Sequence, residues 1–369
     1  MIYHELGTSG IRISSLAFGA MRWQNEADCR AIMERGMDAG LNYVDTSTGY
    51  VGGQSQVWVA NAIRERRDDI LFSTKTGYGQ AHKAKEFVAS LAARLKKLRL
   101  DHADMVQVWG IETMATLEAA LAKDGTVAGA RQAQKDGLVR HGIGFTFHGP
   151  PEVFKAAVDS GEFLSATVSY SLLNREAEPL LAYAAERGVG ILIMNPLAGG
   201  MLALAERQDY AFLRGPDSGP VYGSLRFLLA NPNISAALVG YRVPAELDES
   251  LRALDTPDDL AEPLRRDLIK RIEGVARPDG RFCTGCGYCK ECPEGFKPPK
   301  FMKTMRDFAL YAGDEERLVP WLISRYETRQ TVADALARCV ECGKCEDVCP
   351  QKLPIISEIR RAKAALDAK

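Results

Sequence analysis

Short apolar runs alternate with longer segments of helical periodicity over the first two thirds of the chain. Eight such runs occur, at residues 16–19, 43–45, 70–73, 105–109, 142–145, 166–170, 190–194 and 236–240. Between them, segments such as 29–39, 84–98, 151–159 and 178–187 place apolar residues at three- and four-residue intervals. That spacing is typical of amphipathic helices. The alternation therefore predicts repeated strand-helix units around a buried parallel sheet.

The number of repeats favours a closed structure. Eight strand-helix units over roughly 250 residues are typical of a (β/α)8 TIM barrel, and a doubly wound open sheet is the alternative. Residues 3–14, with Gly7-Thr8-Ser9-Gly10 at their centre, predict a β-hairpin ahead of the barrel.

The pattern changes after residue 254. Residues 255–274 read as one charged amphipathic helix, and Arg277-Pro278-Asp279-Gly280 is typical of a turn. We therefore expect a barrel domain over residues 1–275 and a small second domain over 276–369. Helical periodicity at 301–310, 331–338 and 355–366 predicts that this second domain is mainly α-helical.

Composition and charge narrow the class of protein. The 369 residues are 46% hydrophobic and carry a formal net charge of −1, as expected of a globular chain. Without a basic excess, we expect no nucleic-acid partner. No apolar run approaches the length of about 20 residues that a membrane span needs, and the N-terminus does not resemble a signal peptide. These features predict a cytoplasmic protein without a membrane partner.

The cysteines are distributed very unevenly. Eight of the nine fall between Cys283 and Cys349. They form two runs, Cys339-x2-Cys342-x2-Cys345-x3-Cys349-Pro350 and Cys283-x2-Cys286-x2-Cys289-x2-Cys292-Pro293. The first run has the spacing of a bacterial 4Fe-4S ferredoxin, and the second is one residue shorter in its last gap. In a reducing compartment such cysteines are metal ligands rather than disulfides. The runs predict two 4Fe-4S clusters.

The ferredoxin spacing also implies how the ligands divide. In two-cluster ferredoxins the fourth cysteine of each run binds the cluster of the other run. We therefore expect one cluster on Cys283, Cys286, Cys289 and Cys349, and the other on Cys339, Cys342, Cys345 and Cys292. Two structural zinc sites are the alternative, although these normally use separated Cys-x2-Cys pairs. Cys29 is expected to be a buried small hydrophobe.

Candidate chemistry in the barrel follows the second and third strands. Asp45 and Tyr50 follow one strand and Lys75 ends the next, which places all three at the mouth where such barrels carry their active sites. A lysine near a tyrosine hydroxyl favours the phenolate and lowers the pKa of the phenol, so the tyrosine can give a proton to a carbonyl oxygen. On these residues alone, a structural Asp45-Lys75 ion pair is an equal alternative.

Their order and context resemble the aldo/keto reductase superfamily. Residues 45–50 resemble its Asp-Thr-Ala-x-x-Tyr stretch, and Ser73-Thr74-Lys75 resembles its catalytic lysine strand. Residues 142–148, 170–175, 195–200 and 238–242 resemble its later strands and nucleotide-binding ends. With the cysteine runs, the likeness extends to the branch of the superfamily that carries a C-terminal ferredoxin-like domain.

The resemblance implies a role for each matching residue. Tyr50 would be the proton donor, Lys75 its partner and Asp45 the residue that orients the lysine. The cofactor NADP(H) or NAD(H) is implied too. Its contacts would be Thr146 at the carboxamide, Met194 over the nicotinamide, Leu197 and Gly199 at the pyrophosphate, and Gly240 with Arg242 at the adenosine phosphate.

The chain also departs from the family pattern. Trp109 stands where the family has a histidine, and indole offers one N–H donor but cannot exchange a proton. It would act as a second donor or fill the site. Glu246 stands where some members place an arginine for the 2′-phosphate, and Phe147, Thr167 and Ser250 replace amide side chains of the family. His148 is the nearest spare imidazole, either catalytic or structural.

These features predict an oxidoreductase that acts on a carbonyl or hydroxyl group of a small molecule, with two clusters for electron transfer. An external electron carrier such as ferredoxin or flavodoxin would be its partner. One alternative is a nicotinamide-free lyase or dehydratase that takes electrons from the clusters. Another is a redox sensor or electron-transfer subunit with a degenerate barrel.

Overall fold

The computed structural model describes residues 1–77, 82–204, 208–256, 260–273, 282–311 and 315–368. The chain forms two compact units, Met1–Ile272 and Glu273–Lys369. No helix in these described ranges combines the length and the apolarity that crossing a bilayer requires.

The first unit is a closed barrel of eight parallel strands, which confirms the predicted TIM barrel and excludes the open sheet. The strands follow each other around the barrel in chain order, and the last pairs with the first. Each of the eight predicted apolar runs overlaps one of them. They are β3 (Leu16–Gly19), β4 (Tyr43–Asp45), β5 (Leu71–Lys75), β6 (Ala103–Val108), β7 (Val139–Phe147), β8 (Ser165–Ser169), β9 (Gly190–Met194) and β10 (Ala236–Val239).

The predicted hairpin precedes the barrel. Strands β1 (Tyr3–Glu5) and β2 (Arg12–Ser14) pair antiparallel. Leu6 and Ile13 are fully buried in one hydrophobic cluster with barrel residues such as Leu192. Burial of these side chains holds the hairpin against the barrel.

Helices connect the strands and cover the outside of the barrel. The first begins at Glu26, earlier than its apolar periodicity predicts, because the Asn25 side chain accepts the Asp28 N–H and caps the helix. The helices are α1 (Glu26–Asp38), α2 (Gln54–Ala62), α3 (Ala84–Leu98), α4 (Met114–Leu121), α5 (Thr126–Lys135), α6 (Pro151–Asp159), α7 (Glu178–Ala185), α8 (Val221–Leu229), α9 (Pro244–Leu251) and α10 (Glu262–Glu273).

The prediction of one helix over 255–274 was wrong at its start. The helix α10 begins at Glu262, and Asp255 and Thr256 are not helical. The reason is Pro263, which fits the first turn of a helix but would remove a hydrogen bond from the interior of one. The predicted turn at 277–280 and the expected domain junction lie outside the described residues.

The second unit is helical, as predicted. Its core contains Phe301, Phe308, Leu318, Leu322 and Ile359, and Cys349 is buried in the same cluster. The sequence analysis missed the helix that carries Leu318 and Leu322. The helices are α11 (Pro298–Tyr311), α12 (Leu318–Tyr326), α13 (Arg329–Ala337), α14 (Lys344–Asp347) and α15 (Ile355–Asp367).

Candidate active site and cysteine cavities

Asp45 and Lys75 form a buried ion pair at the carboxyl ends of two neighbouring strands. Asp45 ends β4 and pairs in register with Ser73 of β5, so Lys75 ends β5 two residues further on. The side chains are only 5% and 2% exposed. The Lys75 ammonium donates to Asp45 Oδ2 and, at 3.1 Å, to the Thr46 carbonyl oxygen. The pair is thus fixed by the barrel backbone and excluded from solvent.

Burial opposes both charges of this pair. Loss of hydration lowers the pKa of Lys75 and raises the pKa of Asp45, while each partner's charge acts in the opposite direction. An isolated charge would be costly at this depth, so each residue is needed to keep the other ionised.

Tyr50 lies beside the pair on the loop that follows β4. Its backbone N–H donates to the Ser47 carbonyl at 3.3 Å, which begins a short 3-10 turn over Tyr50–Gly53. Val51 in this turn has a φ of 52°, a backbone region that β-branched residues rarely adopt. The turn brings the Tyr50 ring within 4.9 Å, centroid to Nζ, of Lys75. The structure therefore brings together three of the predicted catalytic residues.

The environment of Tyr50 differs from the expectation on one point. The pKa of the phenol is raised well above its usual value, first by burial and then by the negative charge of Asp45. The sequence analysis expected Lys75 to lower it. Because the ammonium is hydrogen-bonded to Asp45, its charge is largely balanced where the phenol senses it. Tyr50 is accordingly a protonated donor at neutral pH.

Trp109 closes one side of this group. It follows β6, is 7% exposed, and its backbone N–H donates to Thr76 Oγ1 at 2.9 Å. The indole and the Tyr50 phenol meet edge to face, with ring centroids 5.7 Å apart. A Cβ on Gly49 would touch the indole Cη2 at 3.4 Å, so the ring also packs against the loop before Tyr50. An apolar ring thus stands beside the phenol.

The residues predicted to contact a nucleotide lie at or just beyond strand ends on the same mouth. Thr146 is in β7, buried, and its hydroxyl accepts the Gly110 N–H at 2.9 Å. Met194 ends β9, and Leu197 and Gly199 lie in the loop after it, where Gly199 has a φ of 68°. Gly240 follows β10. These positions do not by themselves show a nucleotide contact, so the contacts stay predictions.

Arg242 is held by Glu246, four residues further on. The Glu246 carboxylate accepts the Arg242 backbone N–H at 2.7 Å and its Nε at 2.8 Å. The carboxylate therefore occupies the position at the guanidinium that an anion would take, and it repels a further negative group. These residues do not fit the 2′-phosphate of NADP(H).

His148 follows β7, two residues after Thr146, and is half-buried. Its part in catalysis stays a prediction. Two residues that the sequence analysis missed also shape the site, because Thr76 anchors Trp109 and the Arg94 guanidinium donates to the Lys75 carbonyl at 2.7 Å. Each contact joins two segments that are distant in the sequence, so no local sequence pattern predicts it.

The second unit contains two cavities lined by cysteines. Cys283, Cys286, Cys289 and Cys349 line the first cavity, beside apolar residues such as Met302 and Leu353. This is the set of four that ferredoxin spacing implies for one cluster. The chemistry of the donor set fits a cubane, because four thiols from two separate segments line the same cavity. Their binding of iron stays a prediction.

Cys292, Cys339, Cys342 and Cys345 line the second cavity, together with Cys289 at its edge. The loops that carry the cysteines turn at Gly285, Gly287 and Gly343, whose φ values of 68°, 79° and 80° favour glycine. A Cβ at any of these three glycines would meet no described protein atom within 4 Å. The positive φ values, rather than a lack of space for a side chain, therefore require glycine at these three positions.

The thiols within each cavity influence one another. Burial, together with the nearby thiols of Cys286, Cys283 and Cys349, raises the pKa of Cys289 to about 12. Burial likewise raises the pKa of Cys345 to about 11, with contributions from Glu346, Cys339 and Cys342. Crowded thiolates repel each other, so cationic iron would relieve the repulsion.

Comparison with known proteins finds one family match in the barrel and another in the cysteine-containing unit. Residues 15–219 match the model of the aldo/keto reductase family. Residues 280–353 match the model of the 4Fe-4S dicluster domain. The uncharacterized oxidoreductase YqkF of Bacillus subtilis is 27% identical over 312 residues, which cover 74% of this chain and 96% of YqkF. L-galactose dehydrogenase of Arabidopsis thaliana is 24% identical over 305 residues, covering 74% of this chain and 93% of the relative.

A solved structure shares the barrel. Aldo-keto reductase AKR11C1 from Bacillus halodurans aligns with a TM-score of 0.63 at 23% identity. The alignment covers 76% of this chain and 98% of that one. At this identity the likeness supports the fold alone.

Proposed function

This chain belongs to the aldo/keto reductase family and carries a C-terminal 4Fe-4S dicluster domain, and on that basis we propose that it reduces or oxidises a carbonyl or hydroxyl group at Tyr50. Single electrons would pass through two clusters in the cysteine cavities. The observation that carries the proposal is the buried Asp45-Lys75 pair beside the Tyr50 ring. We place the junction of the two domains between residues 275 and 276.

Tyr50 is the group that would contact the substrate oxygen. As a protonated phenol it donates a hydrogen bond to a carbonyl and gives up its proton as negative charge develops on that oxygen. The resulting phenolate lies near Lys75, whose positive charge stabilises it. Asp45 and the Thr46 carbonyl hold the ammonium in place during this change.

Trp109 would shape the substrate space. Thr76 holds its backbone N–H, and its indole packs against the Tyr50 ring and Gly49. Because it cannot take up or release a proton, Tyr50 is the proton donor without help from this position. The ring also offers an apolar wall, which favours a substrate with an apolar or aromatic group next to its carbonyl.

The eight cysteines would hold the clusters. Bound 4Fe-4S clusters store and transfer single electrons. The first cavity takes its ligands from residues 283–289 and Cys349, and the second takes its ligands from residues 339–345 and Cys292. The loops therefore depend on each other for a complete ligand set.

The test is anaerobic purification with iron and sulfide counts, followed by turnover of candidate carbonyl compounds with reduced ferredoxin or flavodoxin as the electron source. We expect about eight irons per chain and activity that Tyr50→Phe abolishes. Tyr183→Phe is the matched control, because Tyr183 is half-buried on the outer helix α7, where its hydroxyl donates a hydrogen bond to Asp159. Stoichiometric zinc, or full activity in Tyr50→Phe, would contradict the proposal.

A nicotinamide-free lyase or dehydratase is the second candidate. The two cysteine cavities favour it, since hydride transfer from a nicotinamide needs no single-electron clusters. Titration with NADH and NADPH under anaerobic conditions separates the candidates. Nucleotide binding that perturbs the absorbance of the clusters contradicts the second candidate. In turnover without nicotinamide, conversion of a carbonyl to an alcohol supports the first candidate, whereas elimination of water or cleavage of a carbon bond supports the second.

A further inference from the structure

Opposite charges lie next to the two cysteine cavities. Arg306 is the charge at the first cavity. It lies on α11, the helix that also supplies Pro299 and Met302 to the lining of that cavity. Positions 299, 302 and 306 share one helix face. The Arg306 side chain is only 12% exposed, and its Nη1 donates to the Cys283 carbonyl oxygen at 3.1 Å.

The guanidinium of Arg306 also has a carboxylate partner. Asp307 is the counter-charge, since its Oδ1 accepts from Arg306 Nε at 2.8 Å and from Nη2 at 2.6 Å. Arg306 is thus the member of this charged pair that contacts the cysteine loop, through Nη1, while its Nε and Nη2 are taken by Asp307.

Glu346 is a half-buried carboxylate next to the second cavity, whose own lining is net acidic, with Glu291, Glu294, Glu341 and Asp347 against Lys344. It follows Cys345 in α14, and its Oε1 accepts the backbone N–H of Ile356 at 2.7 Å. Ile356 itself lines the second cavity. The hydrogen bond therefore fixes a carboxylate beside this cavity, and its negative charge contributes to the raised pKa of Cys345.

Reduction adds one negative charge to a 4Fe-4S cluster. A fixed cation nearby favours the reduced form and a fixed anion disfavours it, and low solvent exposure strengthens both effects. We propose that Arg306 raises the reduction potential of the cluster in the first cavity, whereas Glu346 lowers that of the cluster in the second. This inference rests on the proposed two-cluster function. Both residues act on the clusters through the electric field of their charges at the cysteine loops, not as ligands.

Solvent access acts in the other direction. Cys342 of the second cavity is exposed, whereas Cys349 of the first is buried. Water near a cluster favours its more highly charged, reduced form. The two fixed charges therefore act against the effect of the difference in solvent exposure. Removing either charge should lower the difference that these charges add between the two reduction potentials.

The experiment is an anaerobic redox titration of the full chain, followed by electron paramagnetic resonance. Arg306→Gln should lower one midpoint potential and leave the other unchanged. Asp307→Asn should raise that same potential, because it removes the counter-charge. Glu346→Gln should raise the other potential. Each shift should be on the order of a tenfold change in the reduction equilibrium, which is about 59 mV for one electron.

Two controls separate charge from loosened structure. Arg361→Gln removes an arginine from the same unit that pairs with Glu315 and Glu358, and it should move neither potential. Arg306→Lys keeps the charge and should retain most of the wild-type value. General loosening cannot make Arg306→Gln and Asp307→Asn shift one potential in opposite directions.

Two results would overturn the inference: equal shifts of both potentials in Arg306→Gln, or no shift in a fully iron-loaded Arg306→Gln protein. A wild-type iron count well below about eight is a different result, because it contradicts the two-cluster function itself. Iron and sulfide are therefore counted on every sample before its titration.

Discussion

The indole of Trp109 meets the phenol of Tyr50 edge to face, with ring centroids 5.7 Å apart and ring planes at 82°. Edge-to-face pairs of this kind are attractive by about 0.5–1.5 kcal/mol beyond the area they bury. The Tyr50 phenol thus packs on one side against an apolar ring and lies on the other side next to a buried ion pair. Its neighbours position the phenol without exchanging protons with it.

Trp109→His should introduce a titration into the activity profile. An imidazole beside Tyr50 has an ordinary pKa of about 6.5, so the rate of carbonyl turnover should change across that pH range. Trp109→Phe keeps an apolar ring and should show no such change. The measurement is a pH profile of kcat/KM for both variants, and identical profiles would contradict the assignment of Trp109 to the substrate space.

Tyr50 should remain active as an acid into the alkaline range. Its pKa is raised by burial and by Asp45, so the phenol keeps its proton above the ordinary tyrosine value of about 10. Activity should therefore show no loss from Tyr50 ionisation as the pH rises from 7 to about 10. A loss of activity within this range that moves to higher pH in Asp45→Asn would contradict a pKa that Asp45 raises.

Breaking the Asp45-Lys75 pair should be costly. Lys75→Met leaves a buried carboxylate without its partner, so the free energy of unfolding should fall by about 3–5 kcal/mol. The double variant Asp45→Asn with Lys75→Met removes both charges and should lose less than the sum of the single variants. Urea unfolding followed by tryptophan fluorescence checks this, and strict additivity would show that the two charges do not interact.

Removing iron should destabilise the second unit selectively. Its hydrophobic core includes Cys349, and the cysteine loops pack against the same cluster, so loss of the clusters removes a crosslink through the core. Chelation or oxidation should increase hydrogen exchange in α11 to α15 and leave α1 to α9 protected. Equal protection of both units after complete iron loss would contradict a structural role for the clusters.

Glu246→Gln should change nucleotide preference. The substitution removes the carboxylate that pairs with Arg242, which leaves the guanidinium available to a 2′-phosphate. The affinity for NADPH relative to NADH should rise by about tenfold, or 1.4 kcal/mol. Asp248→Asn is the control, because Asp248 lies on the same helix, α9, but pairs with Arg35 of α1 instead. Calorimetric titration measures both ratios, and equal ratios would separate Glu246 from nucleotide selection.

The barrel was predictable because its strands are buried on both faces. Such strands require continuous apolar runs, and the alternating helices require three- and four-residue periodicity. Element ends were predicted less well, since caps decide them. Asn25 extends the first helix and Pro263 delays α10, and each effect depends on a single residue at a boundary.

The sequence predicted which residues form the candidate site, but not the environment of each one. Asp45, Tyr50 and Lys75 stand at strand ends in the order that the aldo/keto reductase family shows, and their grouping follows from parallel strands that share one mouth. The direction of the Tyr50 pKa was not predictable. It depends on whether Lys75 faces the phenol with its charge free or already paired with Asp45, which only the packed arrangement decides.

By itself the sequence determined the barrel, the helical second unit and the family, because each follows from the periodicity of hydrophobic positions or from short motifs with fixed spacing. Tertiary structure alone decided which side chains meet across the chain: Trp109 against Tyr50, Glu246 on Arg242 and Arg306 at the Cys283 loop. Contacts between separate elements depend on register, rotamer and burial. These quantities belong to the folded chain as a whole, so no local segment carries them.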